Sequence, residues 1–87
     1  MKVKIFAIRD RATQQYTNPI MLLAPGQAIR LFTDDVNRAT DDNPTYKHPD
    51  DFDLYEIGEY ETDTAKFETH EPTLIAMGKN VAVRNKE

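Results

Sequence analysis

The chain holds two histidines, His48 and His70, and neither serine nor cysteine occurs in it. A Ser/His/Asp triad is therefore impossible, and so are thiolate nucleophiles, disulfides and cysteine-based zinc or iron–sulfur sites. A threonine nucleophile has no supporting pattern. Carboxylates are plentiful, but a general acid needs a pocket that raises its pKa. Glu56, between Tyr55 and Ile57, has apolar neighbours in sequence, and it reads as an exposed or ion-paired strand residue. No catalytic residue is assigned, and the chain is expected not to be an enzyme and to carry no cofactor. His48 with Asp50, Asp51 and Asp53 offers hard metal ligands at close spacing. That spacing matches neither an EF-hand loop nor a His-x-x-x-His pair, so a solvated acidic loop is expected and no metal. His70 reads as a surface or strand-edge residue. Pro25-Gly26-Gln27 precedes a helical pattern, yet one glycine is no phosphate-binding fingerprint, and a plain strand-to-helix turn is expected.

The chemistry that does fit is contact with a polyanion. Lys2, Lys4, Arg9 and Arg11 lie in the first stretch with the aromatics Phe6 and Tyr16, and Arg30 follows. Cations release counterions from phosphates, and rings stack on unpaired bases for about 1–3 kcal/mol each. Phe6 serves equally well as core, which leaves Tyr16, beside a turn, as the stacking residue. Charge is unevenly distributed: residues 1–30 carry a net +4, residues 31–71 a net −10 and residues 72–87 a net +2, within a total of −4. Basic ends around an acidic middle can still present one positive face. The acidic middle is either a solvated surface or a face that docks on a basic protein, with Asp50, Asp51 and Asp53 as its contacts.

These residues need elements to hold them. At 87 residues the chain makes one domain, with an ordered part over about 1–77 and a loose tail over about 78–87. Val3 to Ile8 reads as a strand, with Val3, Ile5 and Ala7 on one face and Lys2, Lys4, Phe6 and Ile8 on the other. Asp10 to Gln15 turns the chain. Tyr16 to Leu23 returns as an edge strand broken at Asn18-Pro19, since proline gives the ladder no amide hydrogen. From Gly26 to about Arg38 the spacing of Ile29, Phe32 and Val36 predicts a helix, opened by Pro25. Arg30, Asp34 and Arg38 are spaced for two weak ion pairs on its outer face. Thr40 to Asp51 is a polar, proline-containing loop with no element expected in it. Phe52 to Glu61 is the clearest strand, with Gly58 marking a bulge or a close backbone approach. A turn over 62–66 leads to a partner strand over Phe67 to His70. Glu71-Pro72 interrupts, and Thr73 to Met77 is either a last strand or a short helix. Val81 and Val83 alternate as if to pair with an edge. The order β-β-α-β-β implies an α+β fold, a small antiparallel sheet of two hairpins with one helix on a face.

No apolar run approaches the roughly 20 residues of a membrane span. The amino end is too short in its apolar part for a signal peptide. Both point to a soluble protein in an intracellular location. A chain of this size has a thin core, and together with the Pro19 edge strand that suggests a homodimer formed by strand addition or hairpin exchange.

The segment Lys47-His48-Pro49-Asp50-Asp51-Phe52-Asp53-Leu54-Tyr55-Glu56-Ile57-Gly58-Glu59-Tyr60 resembles the small nonstructural protein of gokushovirus-type microviruses, phages with circular single-stranded DNA genomes. Met1 to Asp10, Asn18-Pro19 and Ala28 to Asn37 are similar to the same family, so the resemblance covers about residues 1–70. It implies a DNA-binding role in single-stranded DNA synthesis, in the passage of the replication machinery from duplex copying to single-stranded genomes, and it implies no catalytic residues. Two readings follow. In one the protein binds single-stranded DNA as a replication accessory, through Lys2, Lys4, Arg9, Arg11 and Arg30 with Tyr16 stacking. In the other it is a non-catalytic interaction module whose acidic segment docks on the replication initiator or a coat protein.

Overall fold

The computed structural model describes residues 1–83. Five strands form one antiparallel sheet: β1 (Lys2–Asp10), β2 (Gln15–Tyr16), β3 (Ile20–Leu22), β4 (Phe52–Glu61) and β5 (Lys66–Met77). β1 and β4 are central. β5 is one edge, and β2 and β3 share the other, both pairing with β1 on either side of the Asn18-Pro19 break. α1 (Pro25–Val36) lies across one face, so the fold is α+β in the implied order. Pro25 at its first turn has no amide hydrogen to leave unpaired, and Gln27 Oε1 accepts from the Leu23 and Ala24 amides at 2.9 and 3.2 Å.

The apolar stripe of α1 is Ala28, Phe32 and Val36, with Ile29 beside it. It packs on Phe6, Phe52 and Leu54, with Ile8, Leu22, Ile75, Ala76 and Val81 around them. Phe6, Phe32, Leu54 and Val36 are the largest side chains that are fully buried. The register pairs Ile8 with Leu54 and Asp10 with Phe52, so these side chains share the helix-covered face. The sheet outruns the helix. β1, β4 and β5 continue as an arm in a molecule of 47 × 23 × 22 Å. On the helix-covered side of that arm the register sets Lys2, Lys4, Glu59, Glu61, Lys66 and Glu68.

Both four-residue loops that close the hairpins, 11–14 and 62–65, end on a residue with left-handed backbone, Gln14 at φ 61° and Ala65 at φ 59°. Gln14 and Ala65 each donate their amide to the carbonyl four residues back.

Several expectations are corrected. The loop over Thr40 to Asp51 contains a helical turn, α2 (Pro44–Lys47), and a 3₁₀ turn (Pro49–Asp51). Buried Asn43 is the cause. Its Nδ2 donates to the Asp35 and Arg38 carbonyls at the end of α1, and its Oδ1 accepts from Thr45 N. Next, residues 66–77 form one strand rather than two pieces. Its register slips opposite Glu56–Gly58, where His70, Glu71 and Pro72 bulge. Finally, the tail begins as a helical turn, α3 (Gly78–Val81), with Ala82 buried in the core. Asn37 holds it, donating to the Val81 carbonyl at 3.0 Å and accepting from Val83 N at 3.0 Å. Val81 therefore does not pair with an edge, and positions 84–87 of the tail lie outside the described residues. Just past the end of α1, Arg38 pairs with Asp35 rather than Asp34.

Candidate nucleic-acid interface

The two faces of the sheet differ in kind. Away from α1, the register lays out four rows. Tyr16, Arg9, Asp53 and Met77 form the first; Ala7, Tyr55 and Leu74 the second; Met21, Ile5, Gly58 and Thr69 the third; Val3, Tyr60 and Phe67 the last. No helix of the described residues packs on this face. Tyr16 and Tyr55 meet edge to face with centroids 5.7 Å apart, and Tyr60 and Phe67 meet tilted at 4.7 Å. Each such pair adds about 0.5–1.5 kcal/mol beyond its burial. The rings are nevertheless partly in solvent, with Tyr16 44% and Phe67 61% exposed. Between the pairs lie small Ala7 and Gly58, with Ile5 buried beside them. At Gly58 a Cβ would strike the Glu68 carbonyl and stand 3.0 Å from Thr69 Cα, so β5 comes close only because the residue is glycine.

The carboxylates lie mostly on the other face. There Lys2 Nζ is 3.6 Å from both Glu59 and Glu68, and Lys4 Nζ is 3.3 Å from Glu59 and 3.7 Å from Glu56. The charges of Glu68 and Glu59 raise the Lys2 pKa above its ordinary value. Glu56 is the ion-paired strand residue expected. It also faces His70 Nε2 at 3.2 Å, while His70 Nδ1 stands 2.7 Å from the Glu71 carbonyl. Both ring nitrogens therefore meet acceptors, an arrangement that the imidazolium alone satisfies. The Glu71 carbonyl, then Glu56, raise the His70 pKa.

The predicted cations thus separate. Lys2 and Lys4 belong to the ion-paired side of the arm. Arg11 is fastened to the start of β4: its Nε is 3.3 Å from Asp53, its guanidinium donates to the Asp50 carbonyl, and its amide donates to the Asp51 carbonyl. Arg30 is exposed on α1, on the side of the sheet that the helix covers. Arg9, half-buried, lies on the open face beside Tyr16, and no described carboxylate is within 4.0 Å of it. Of the predicted set, the structure brings Arg9 and Tyr16 together and adds Tyr55, Tyr60 and Phe67. The period of two in β4 sets Tyr55 on the face opposite Leu54, whereas Tyr60, with Phe67 across from it, reaches that face only through the bulge between Glu56 and Gly58.

The acidic trio separates too. Asp53 is buried, with one oxygen toward Arg11 and its Oδ1 without a hydrogen-bond partner, whereas Asp50 is exposed and Asp51 half-buried in the 3₁₀ turn. Among the described residues no group of three His, Asp or Glu side chains could hold a metal ion, and no helix is long and apolar enough to cross a membrane.

The model of one family, described as Phage ORF5 protein, matches residues 3–81. The chain belongs to that family. Membership makes it a small phage protein. The match takes in β1 through α3, so the open face and the arm both fall within the Phage ORF5 region. No curated protein and no solved structure matches the chain.

Proposed function

We propose that this Phage ORF5 protein is a non-catalytic, single-stranded-DNA-binding accessory of phage genome replication, acting in the host cytoplasm at the switch to single-stranded DNA synthesis. The observation that carries the reading is the uncovered sheet face. It bears two aromatic pairs and Arg9, while the carboxylates of the arm are turned to the opposite side. Rings on a sheet offer bases a sequence-tolerant platform, and a lone guanidinium beside them meets a phosphate. On this reading Tyr16, Tyr55, Tyr60 and Phe67 stack, and Arg9 contacts the backbone. Lys2, Lys4 and Arg11 hold the fold together. Duplex DNA, whose bases are already stacked, gains little from such a surface.

Fluorescence anisotropy with a labelled single-stranded oligonucleotide, and with its duplex, tests the proposal. The expected result is a preference for the single strand that Tyr16→Ala reduces about tenfold, from about 1–3 kcal/mol per stacked base. Absence of binding at low salt, or equal affinity for the duplex, overturns it.

A further inference from the structure

Among the described residues β5 pairs only with β4, so its outer edge presents backbone groups that no described strand pairs along much of its length. Proteins blunt such edges with prolines and bulges. Here the bulge at His70, Glu71 and Pro72 interrupts the middle of the strand, and the run Lys66–Thr69 remains regular and open. That run also contains Phe67, a ring 61% exposed at the far end of the arm.

From this edge we infer that β5 is a homodimerisation strand, pairing antiparallel with β5 of a second copy about a twofold axis at Phe67. In that register Phe67 meets Phe67 on the open face, and Lys66 of each copy faces Glu68 of the other on the opposite face. The charges call for such a partner. Within one chain Glu68 sits directly across from Glu59, a like-charge pair that destabilises a sheet, and both share Lys2 at 3.6 Å. A lysine from a second copy supplies the missing cation. A twofold perpendicular to the sheet also turns both open faces the same way, giving one sheet of ten strands whose aromatic pairs form a continuous row. The contact stands whether or not the face binds DNA.

Two measurements on the DNA-free protein test it. Sedimentation equilibrium should report a reversible dimer. Lys66→Glu should weaken it roughly tenfold, because two symmetric attractions become repulsions. Lys66→Glu combined with Glu68→Lys should restore it. The chain has no cysteine, so the covalent dimer of a Phe67→Cys variant reports that position alone. Residues opposed in an antiparallel pair have Cα atoms about 4.5–5.5 Å apart, within disulfide reach. Phe67→Cys should cross-link on mild oxidation, and Thr69→Cys, displaced along the strand, should not. A wild-type chain that stays at monomer mass up to millimolar concentration overturns the inference. So does a dimer indifferent to the charge reversals, or equal cross-linking at both positions.

Discussion

Salt sensitivity separates a stacking surface from an electrostatic one, and the ion pairs set its size. Of the five cations that the sequence offers in its first thirty residues, Lys2, Lys4 and Arg11 stand beside carboxylates, and Arg30 lies across the sheet from the rings. Arg9 remains, joined at most by Arg11 if a phosphate draws it from Asp53. One or two phosphate contacts on a single strand give a log–log salt slope of about −0.7 to −1.4. Raising salt fourfold then weakens binding about three- to sevenfold. Had all five cations met phosphates, the slope would be about −3.5 and the same step would cost roughly a hundredfold. Anisotropy titrations of a labelled single-stranded oligonucleotide across a potassium chloride series give the slope directly. A slope steeper than about −3 would refute the reasoning, because Lys2, Lys4 and Arg11 would then have to leave their carboxylates for the ligand.

Four further outcomes follow from the packing. Gly58→Ala should lower stability by about 1–3 kcal/mol, read from chemical denaturation, since its Cβ would strike the Glu68 backbone. Gly26→Ala, where a Cβ meets nothing within 4 Å, should be neutral or gain up to about 1 kcal/mol. Ala65→Gly should raise the melting temperature slightly: relief of left-handed backbone, about 1–2 kcal/mol, exceeds the added unfolded-state entropy of about 0.4–1 kcal/mol. The raised pKa of His70 means that its contribution to stability is complete below the ordinary histidine value of 6.5 and is lost as pH rises through the higher folded value. His70→Gln should flatten that fall in a pH series of thermal melts.

The architecture was legible where the residue pattern has one strong period. Ile29, Phe32 and Val36 announced α1, and the alternation through Phe52 and Leu54 announced β4. What lay hidden depends on single polar side chains reaching across the fold. Asn43 orders a stretch whose prolines and aspartates read as loop, and Asn37 captures the tail; neither contact follows from local propensity. The break at Glu71-Pro72 was visible, but a bulge lets one strand absorb an interruption that looked like an end. For the site, the types of residue were legible and their partners were not. Lys2 and Lys4 sit one strand away from Glu59 and Glu56, which are more than fifty positions distant in sequence, and only the β1–β4 register brings them together. The same register places Tyr55 and Tyr60 on the side of Arg9 and Tyr16.

The most direct test is an amide chemical-shift titration of the ¹⁵N-labelled protein with a short single-stranded oligonucleotide. The perturbed amides should cluster at Ala7, Arg9, Tyr16, Tyr55, Tyr60 and Phe67, on the sheet face opposite α1. Shifts confined to Arg30 and the outer side of α1, or to Asp50 and Asp51, would contradict the assignment of that face as the DNA platform.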